Sequence, residues 1–181
     1  QDAYGMPDPK AVKAGLANLE KHVENVELFG YKPVIALNRF PSDAPEEIAL
    51  VRAFAEERGL PFAPSEVYAQ GGEGGLELAE RVLEALDLPH AYRPLYPLEA
   101  SLEAKVEAIA TRVYGAEGVE WSEEAKRALK AAKKEGCEAL PVVVAKAATS
   151  LSDNPRLRGR PRGFTVRVTD LRCRLGAGFV V

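Results

Sequence analysis

The stretch Pro33-Val34-Ile35-Ala36-Leu37-Asn38-Arg39-Phe40-Pro41-Ser42-Asp43 reads as a short apolar strand running directly into a polar turn that carries an aromatic side chain. A brief apolar run bounded by turn formers is too short for a helix and suits a strand buried in a sheet. Upstream, Val12, Leu16, Leu19, Val23 and Val26 recur at helical spacing, so a helix is expected over residues 9–29. Asp8 is its N-cap, Pro9 its first residue and Gly30 its stop. Downstream, Asp43 is expected to cap a second helix whose first turn holds Pro45, Glu46 and Glu47 and which ends at Gly59. A second strand over 62–67 leads through Gly71-Gly72-Glu73-Gly74-Gly75 into a third helix from Leu76 to Leu86. Helix, strand, helix, strand, helix is the order of a parallel α/β sheet. Ligands of such sheets collect at the carboxyl ends of the strands, so the residues after each strand are the first place to look for a site.

Pro89, Pro94 and Pro97 interrupt regular structure and mark a boundary between a lobe over 1–90 and one over 91–181. The second lobe reads as smaller and α+β. Helices are expected over 102–114, ending at Gly115, and over 123–135, between the cap Ser122 and the stop Gly136. Residues 141–144 read as a buried strand. Residues 164–173 alternate Phe164, Val166, Val168 and Leu171 as a half-buried one, with a turn-rich loop, Ser150-Leu151-Ser152-Asp153-Asn154-Pro155, between the two.

The chain of 181 residues is 46% hydrophobic and 28% charged, enough to bury a core. No apolar run reaches the roughly 20 residues that span a bilayer, and the opening Gln1-Asp2-Ala3-Tyr4-Gly5 has no signal-peptide pattern, so a cytoplasmic protein is expected. Cys137 and Cys173 lack metal-type spacing and a local histidine partner, and read as buried free thiols in preference to a disulfide or ligand pair; His22 and His90 alone do not make a histidine metal site. The first residue is not methionine and the last stretch stops within an apparent strand, which reads as a piece of something larger. Residues 1–90 hold 8 basic and 16 acidic side chains, whereas 91–181 hold 16 and 11, with the basic excess in the arginines of 156–174. These arginines suit an anionic ligand or a nucleic-acid or assembly partner; equally, they suit a solvated strand face. The overall charge of −3, and the lack of aromatics between the arginines, weigh against nucleic acid.

The glycine cluster fails as a nucleotide phosphate loop, because the chain has no Gly-Lys dipeptide and Glu77 stands where a dinucleotide fingerprint needs its third glycine. What remains is a tight turn around Glu73, or a rim whose backbone amides receive a carboxylate or carbonyl. Phe40 and Tyr68 each follow an expected strand, where they either join the core or clasp a flat heterocycle by stacking. Arg39 between Asn38 and Phe40 is either a surface ion pair or part of that site.

Six ordered motifs resemble the formate–tetrahydrofolate ligase family: 38–43, 71–79, 114–119, 140–153 (Leu140-Pro141 through Ala145-Lys146 to Ser150-Leu151-Ser152-Asp153), 159–166 and 176–179. The resemblance runs from about Gly15 onward and is weak in the opening residues. It implies part of a P-loop NTPase-like parallel sheet domain, its ATP phosphate loop lying upstream, followed by the smaller lobe. The implied activity joins formate to tetrahydrofolate at the cost of ATP with Mg, through formyl phosphate, giving 10-formyltetrahydrofolate. The implied partners are those substrates, the missing N-terminal part of the enzyme and further copies of it, usually in a homotetramer, with no nucleic acid and no membrane. By the same resemblance, Phe40 and Tyr68 are the walls of a pterin site, although tryptophan is common at the second position. Pro41, Gly71, Gly72 and Glu73 form its floor and rim, and Arg160, Pro161 and Arg162 touch adenine. The piece alone is expected to be inactive.

Overall fold

The computed structural model of the protein describes residues 6–145 and 151–181; the opening residues 1–5 and the motif positions Lys146 and Ser150 lie outside the described residues. The chain forms two compact units, Gln1–Arg93 and Pro94–Val181. Helices and small sheets, two of them parallel, make this a mixed fold compatible with the α/β class.

The first unit follows the expected order. Helix α1, Pro9–Glu27, starts at Asp8, whose carboxylate accepts from the Lys10 and Ala11 N–H groups. Strand β1 is Ile35–Asn38, α2 is Pro45–Glu57 and β2 is Phe62–Ser65. The N-cap of α2 is Ala44, not Asp43. Ala44 has no side-chain acceptor for the first-turn N–H groups, but the Glu47 carboxylate turns back to take the N-cap N–H of Ala44 at 3.0 Å and the Asp8 N–H at 2.7 Å. Strands β1 and β2 pair in parallel, with Ile35 opposite Phe62 and Asn38 opposite Ser65. One face of this pair carries the main core, where Ile35, Phe62, Val23, Phe54 and Leu60 pack together, and on the opposite face Ala63 of β2 is also fully buried. Ala36, on the other face of β1, is exposed, so the strand is buried on one side rather than on both as its apolar run suggests.

Pro64 marks an edge. The Pro61 and Ser65 carbonyls accept from Ile35 and Arg39 at 2.8 and 3.0 Å, so alternation turns Pro64, which has no N–H to offer, toward the outer side of β2. Beyond β2 the expected strand continuation is instead a helical turn, α3, Val67–Gln70, followed by a 3-10 turn, Gly71–Gly75, and helix α4, Leu76–Leu86.

The second unit opens with α5, Leu102–Ala108, which widens into a π-helical turn over Ile109–Tyr114 instead of continuing as an α-helix. At this turn the Thr111 hydroxyl donates to the Glu107 carbonyl at 2.8 Å, a further claim on an acceptor of the helix. Strand β3, Gly118–Trp121, precedes α6, Glu123–Lys134, which is capped by the Ser122 hydroxyl as expected. A 3-10 turn, Cys137–Ala139, follows. Strand β4, Thr165–Val168, lies parallel to β3, and β5, Cys173–Arg174, is antiparallel to β6, Phe179–Val180.

Residues 141–144 do not form a strand. Val142 makes a single bridge to Val180, and on its other side the Tyr96 hydroxyl accepts the Val142 N–H at 2.9 Å and donates to its carbonyl at 3.2 Å. A side chain has taken the backbone groups that a neighbouring strand would need. The unit closes over Leu102, Val106, Cys137, Leu171 and Val180. Lys105 is fully buried at 0% exposure, and its ammonium donates to the Glu138 and Leu140 carbonyls at 2.5 and 3.0 Å. On β4, Thr165 and Arg167 face solvent while Val166 and Val168 turn inward, the pattern of a solvated arginine face. No helix among the described residues is long and apolar enough to cross a membrane.

Candidate functional site

The carboxyl ends of β1 and β2 are tied together immediately after their last residues. Arg39 donates its N–H to the Ser65 carbonyl, and its guanidinium meets the Glu66 carboxylate at 3.1 Å. The residues that follow this brace are the two aromatics. Phe40 opens a tight turn whose ends are joined twice, by the Asp43 N–H donating to the Phe40 carbonyl at 3.0 Å and the Phe40 N–H donating to the Asp43 carboxylate at 2.8 Å. Pro41 takes the second place of that turn, where its fixed φ favours the bend. Asp43 therefore shapes the turn instead of capping α2.

The outcome is a displayed ring: Phe40 is 60% exposed. Tyr68 stands on α3, one helical step past the brace, and is 100% exposed. Neither joins the core. Among the described residues the two rings do not stack on one another; both stand exposed at the same end of the two-stranded sheet.

The glycines divide into two kinds. Gly74 accepts the Glu66 N–H at 2.9 Å, and a methyl group there would lie 2.5 Å from the Glu66 carbonyl carbon and oxygen. Gly71 adopts φ 61 and ψ −145, a combination that side chains disfavour. Both are required by the turn. Gly72 has no neighbour within 4 Å of where a methyl would stand, so packing gives no reason for a glycine there. Glu73 lies on the same exposed 3-10 turn.

Arg160, Pro161 and Arg162 belong to the second unit. Pro161 is buried, Arg160 is half-buried and already engaged, and Arg162 alone of the three is exposed. They do not line a cavity of about 240 Å³ in this unit, whose walls include Val106, Tyr114, Val142, Val166 and Asp170.

A family model for formate–tetrahydrofolate ligase matches residues 1–181. The chain belongs to this family. The formate–tetrahydrofolate ligases of Staphylococcus aureus strains JH9, Newman and JH1 are each 44% identical to it over 172 residues, which is 95% of this chain. The chain spans 31% of the length of these curated relatives.

Within this family member, sequence reasoning missed Glu66 and the separate duty of Gly74. Nothing local signals either, because Glu66 acquires its role only when the parallel register sets it beside Arg39. A second cluster was also missed. The Cys137 and Cys173 sulfurs and a Glu135 carboxylate oxygen all lie within 4.8 Å of one another, although the two thiols are far apart in the chain. Burial, with the Cys137 thiol beside it, pushes the Cys173 thiol up to about 12.

Proposed function

We propose that this chain is the folate-binding portion of an ATP-dependent ligase that makes 10-formyltetrahydrofolate from formate, ATP and tetrahydrofolate via formyl phosphate. Phe40 and Tyr68 hold the two faces of the pterin, Pro41 forms the floor, and Gly71, Gly72 and Glu73 form the rim. The contribution of these residues is to fix the amine nucleophile of the folate in place, which converts an encounter into a near-unimolecular step. The rest of the enzyme supplies the ATP phosphate loop, with Mg held alongside ATP. Arg160, Pro161 and Arg162 lie on the adenine side, where Arg162 is the side chain free to reach a ligand.

The observation that carries this reading is the exposure of both rings at the braced carboxyl end of β1 and β2, in a chain whose whole length matches the family. Exposed aromatics cost solvation unless something covers them, and a flat heterocycle fits that need. The same reading takes residues 1–90 as the C-terminal part of a P-loop NTPase-like sheet domain and 91–181 as a smaller lobe, in a cytoplasmic homotetramer. The outward backbone groups of β1, which no strand pairs among the described residues, are where that larger sheet would continue.

Equilibrium titration of tetrahydrofolate into the full-length ligase carrying this segment tests the site. Phe40→Ala is expected to weaken binding about 3- to 10-fold, the loss of one stacked face. Unchanged affinity would remove Phe40 from the site.

A further inference from the structure

We propose that Glu135, Cys137 and Cys173 form a binding site for a borderline-soft divalent cation of the zinc or cadmium kind. Two sulfurs and one carboxylate oxygen already lie within 4.8 Å of one another. A tetrahedral zinc centre with bonds of roughly 2.3 Å to sulfur holds its sulfurs about 3.8 Å apart, so the two sulfurs need close by no more than about an ångström and the carboxylate oxygen by little more. Glu135 is exposed and leaves the fourth position open to water or to a ligand.

The three donors sit on elements fixed for other reasons. Glu135 caps the C-terminus of α6, the negative end of the helix dipole, which favours a cation. Gly136 then turns the chain so that Cys137 enters the core, and the buried Lys105 ammonium pins that turn through the Glu138 and Leu140 carbonyls. Cys173 is held opposite Val180 in the β5–β6 pair.

Three of the nearby cations are turned away from the site or engaged elsewhere. Arg172 and Arg174 alternate to the opposite face of the strand from Cys173, and Arg172 is paired with Asp170 at 2.7 Å. Lys133 is committed to Glu103 at 2.7 Å and lies 3.8 Å from Glu138, and Glu135 forms no ion pair among the described residues. Binding forms two metal–thiolate bonds and one metal–carboxylate bond and releases the two thiol protons to solvent.

Cobalt(II) alone, titrated into the reduced full chain, reads the site directly. Thiolate-to-cobalt charge-transfer absorption is expected to saturate at a single equivalent and to vanish when zinc(II) is added. Cys173→Ser, chosen because Cys173 is half-buried where Cys137 is fully buried, should remove most of that absorption. Glu135→Gln, at an exposed position that does not threaten the fold, should keep the thiolate signal but weaken binding at least about tenfold. The proposal fails if the wild-type chain gives no saturable thiolate absorption. It also fails if Glu135→Gln binds as tightly as wild type, or if the metal-treated chain has lost two hydrogens by mass to a Cys137–Cys173 disulfide.

Discussion

At Gly74 a methyl group would stand 2.5 Å from the Glu66 backbone, while at Gly72 it would meet nothing. Gly74→Ala should therefore cost about 1–3 kcal/mol in denaturant unfolding, the price of forcing an atom into a filled space. Gly72→Ala should leave stability within about 1 kcal/mol, so any loss of tetrahydrofolate affinity it causes reports on the rim and not on folding. An equal loss of stability in the two variants would contradict this division. The sequence made part of this legible: the four glycines around Glu73, and the two aromatics, Phe40 and Tyr68, that follow the strands and stand exposed. What it hid was the Arg39–Glu66 brace, which depends on the register of strands that meet only after folding.

Between α5 and α6 the Glu103 carboxylate and the Lys133 ammonium meet at 2.7 Å. Burial pushes the Glu103 carboxyl up, but the Lys133 hydrogen bond, the backbone N–H of Glu103, the Lys133 charge and the Ser101 hydroxyl together outweigh it and hold the group below its ordinary 4.5. The same hydrogen bond holds Lys133 above its ordinary 10.5. A depressed acid stabilises the fold fully above 4.5 and loses that contribution as pH falls through the lower folded value; a raised base does so fully below 10.5 and loses it as pH rises through the higher one. Thermal unfolding of Lys133→Met should thus show a smaller stability difference between neutral and strongly acid pH than wild type. Identical acid sensitivity would show that the pair does not contribute. Lys105→Met is expected to destabilise the second unit by about 1–3 kcal/mol in the same assay, because two buried carbonyls lose their donor. Helices such as α1, α4 and α6 were legible because caps and apolar spacing are written within each segment. Strand β3 was not, since its partner β4 arrives far downstream. Residues 141–144 misled because the Tyr96 hydroxyl, distant in sequence, occupies the Val142 backbone.

On the scale of the molecule, two features of the first unit want a larger body around them. A parallel pair of strands rarely stands by itself, and among the described residues β1 keeps one edge unpaired and Ala36 exposed. Helix α4 is amphipathic yet buries none of its residues, with Leu83 and Leu86 open to solvent. A chain spanning 31% of its relatives, and lacking a Gly-Lys phosphate loop, accordingly should show no ATP-dependent formylation of tetrahydrofolate when assayed alone. Joining it to the upstream two-thirds of a family member should restore turnover, and activity in the isolated chain would refute the division of labour proposed for it. The most direct measurement is a crystal structure of the full-length ligase with tetrahydrofolate bound. The pterin should lie between the Phe40 and Tyr68 rings, within stacking distance of both and bordered by the Gly71–Gly75 turn; a pterin seated elsewhere, with either ring still bare to solvent, would contradict it.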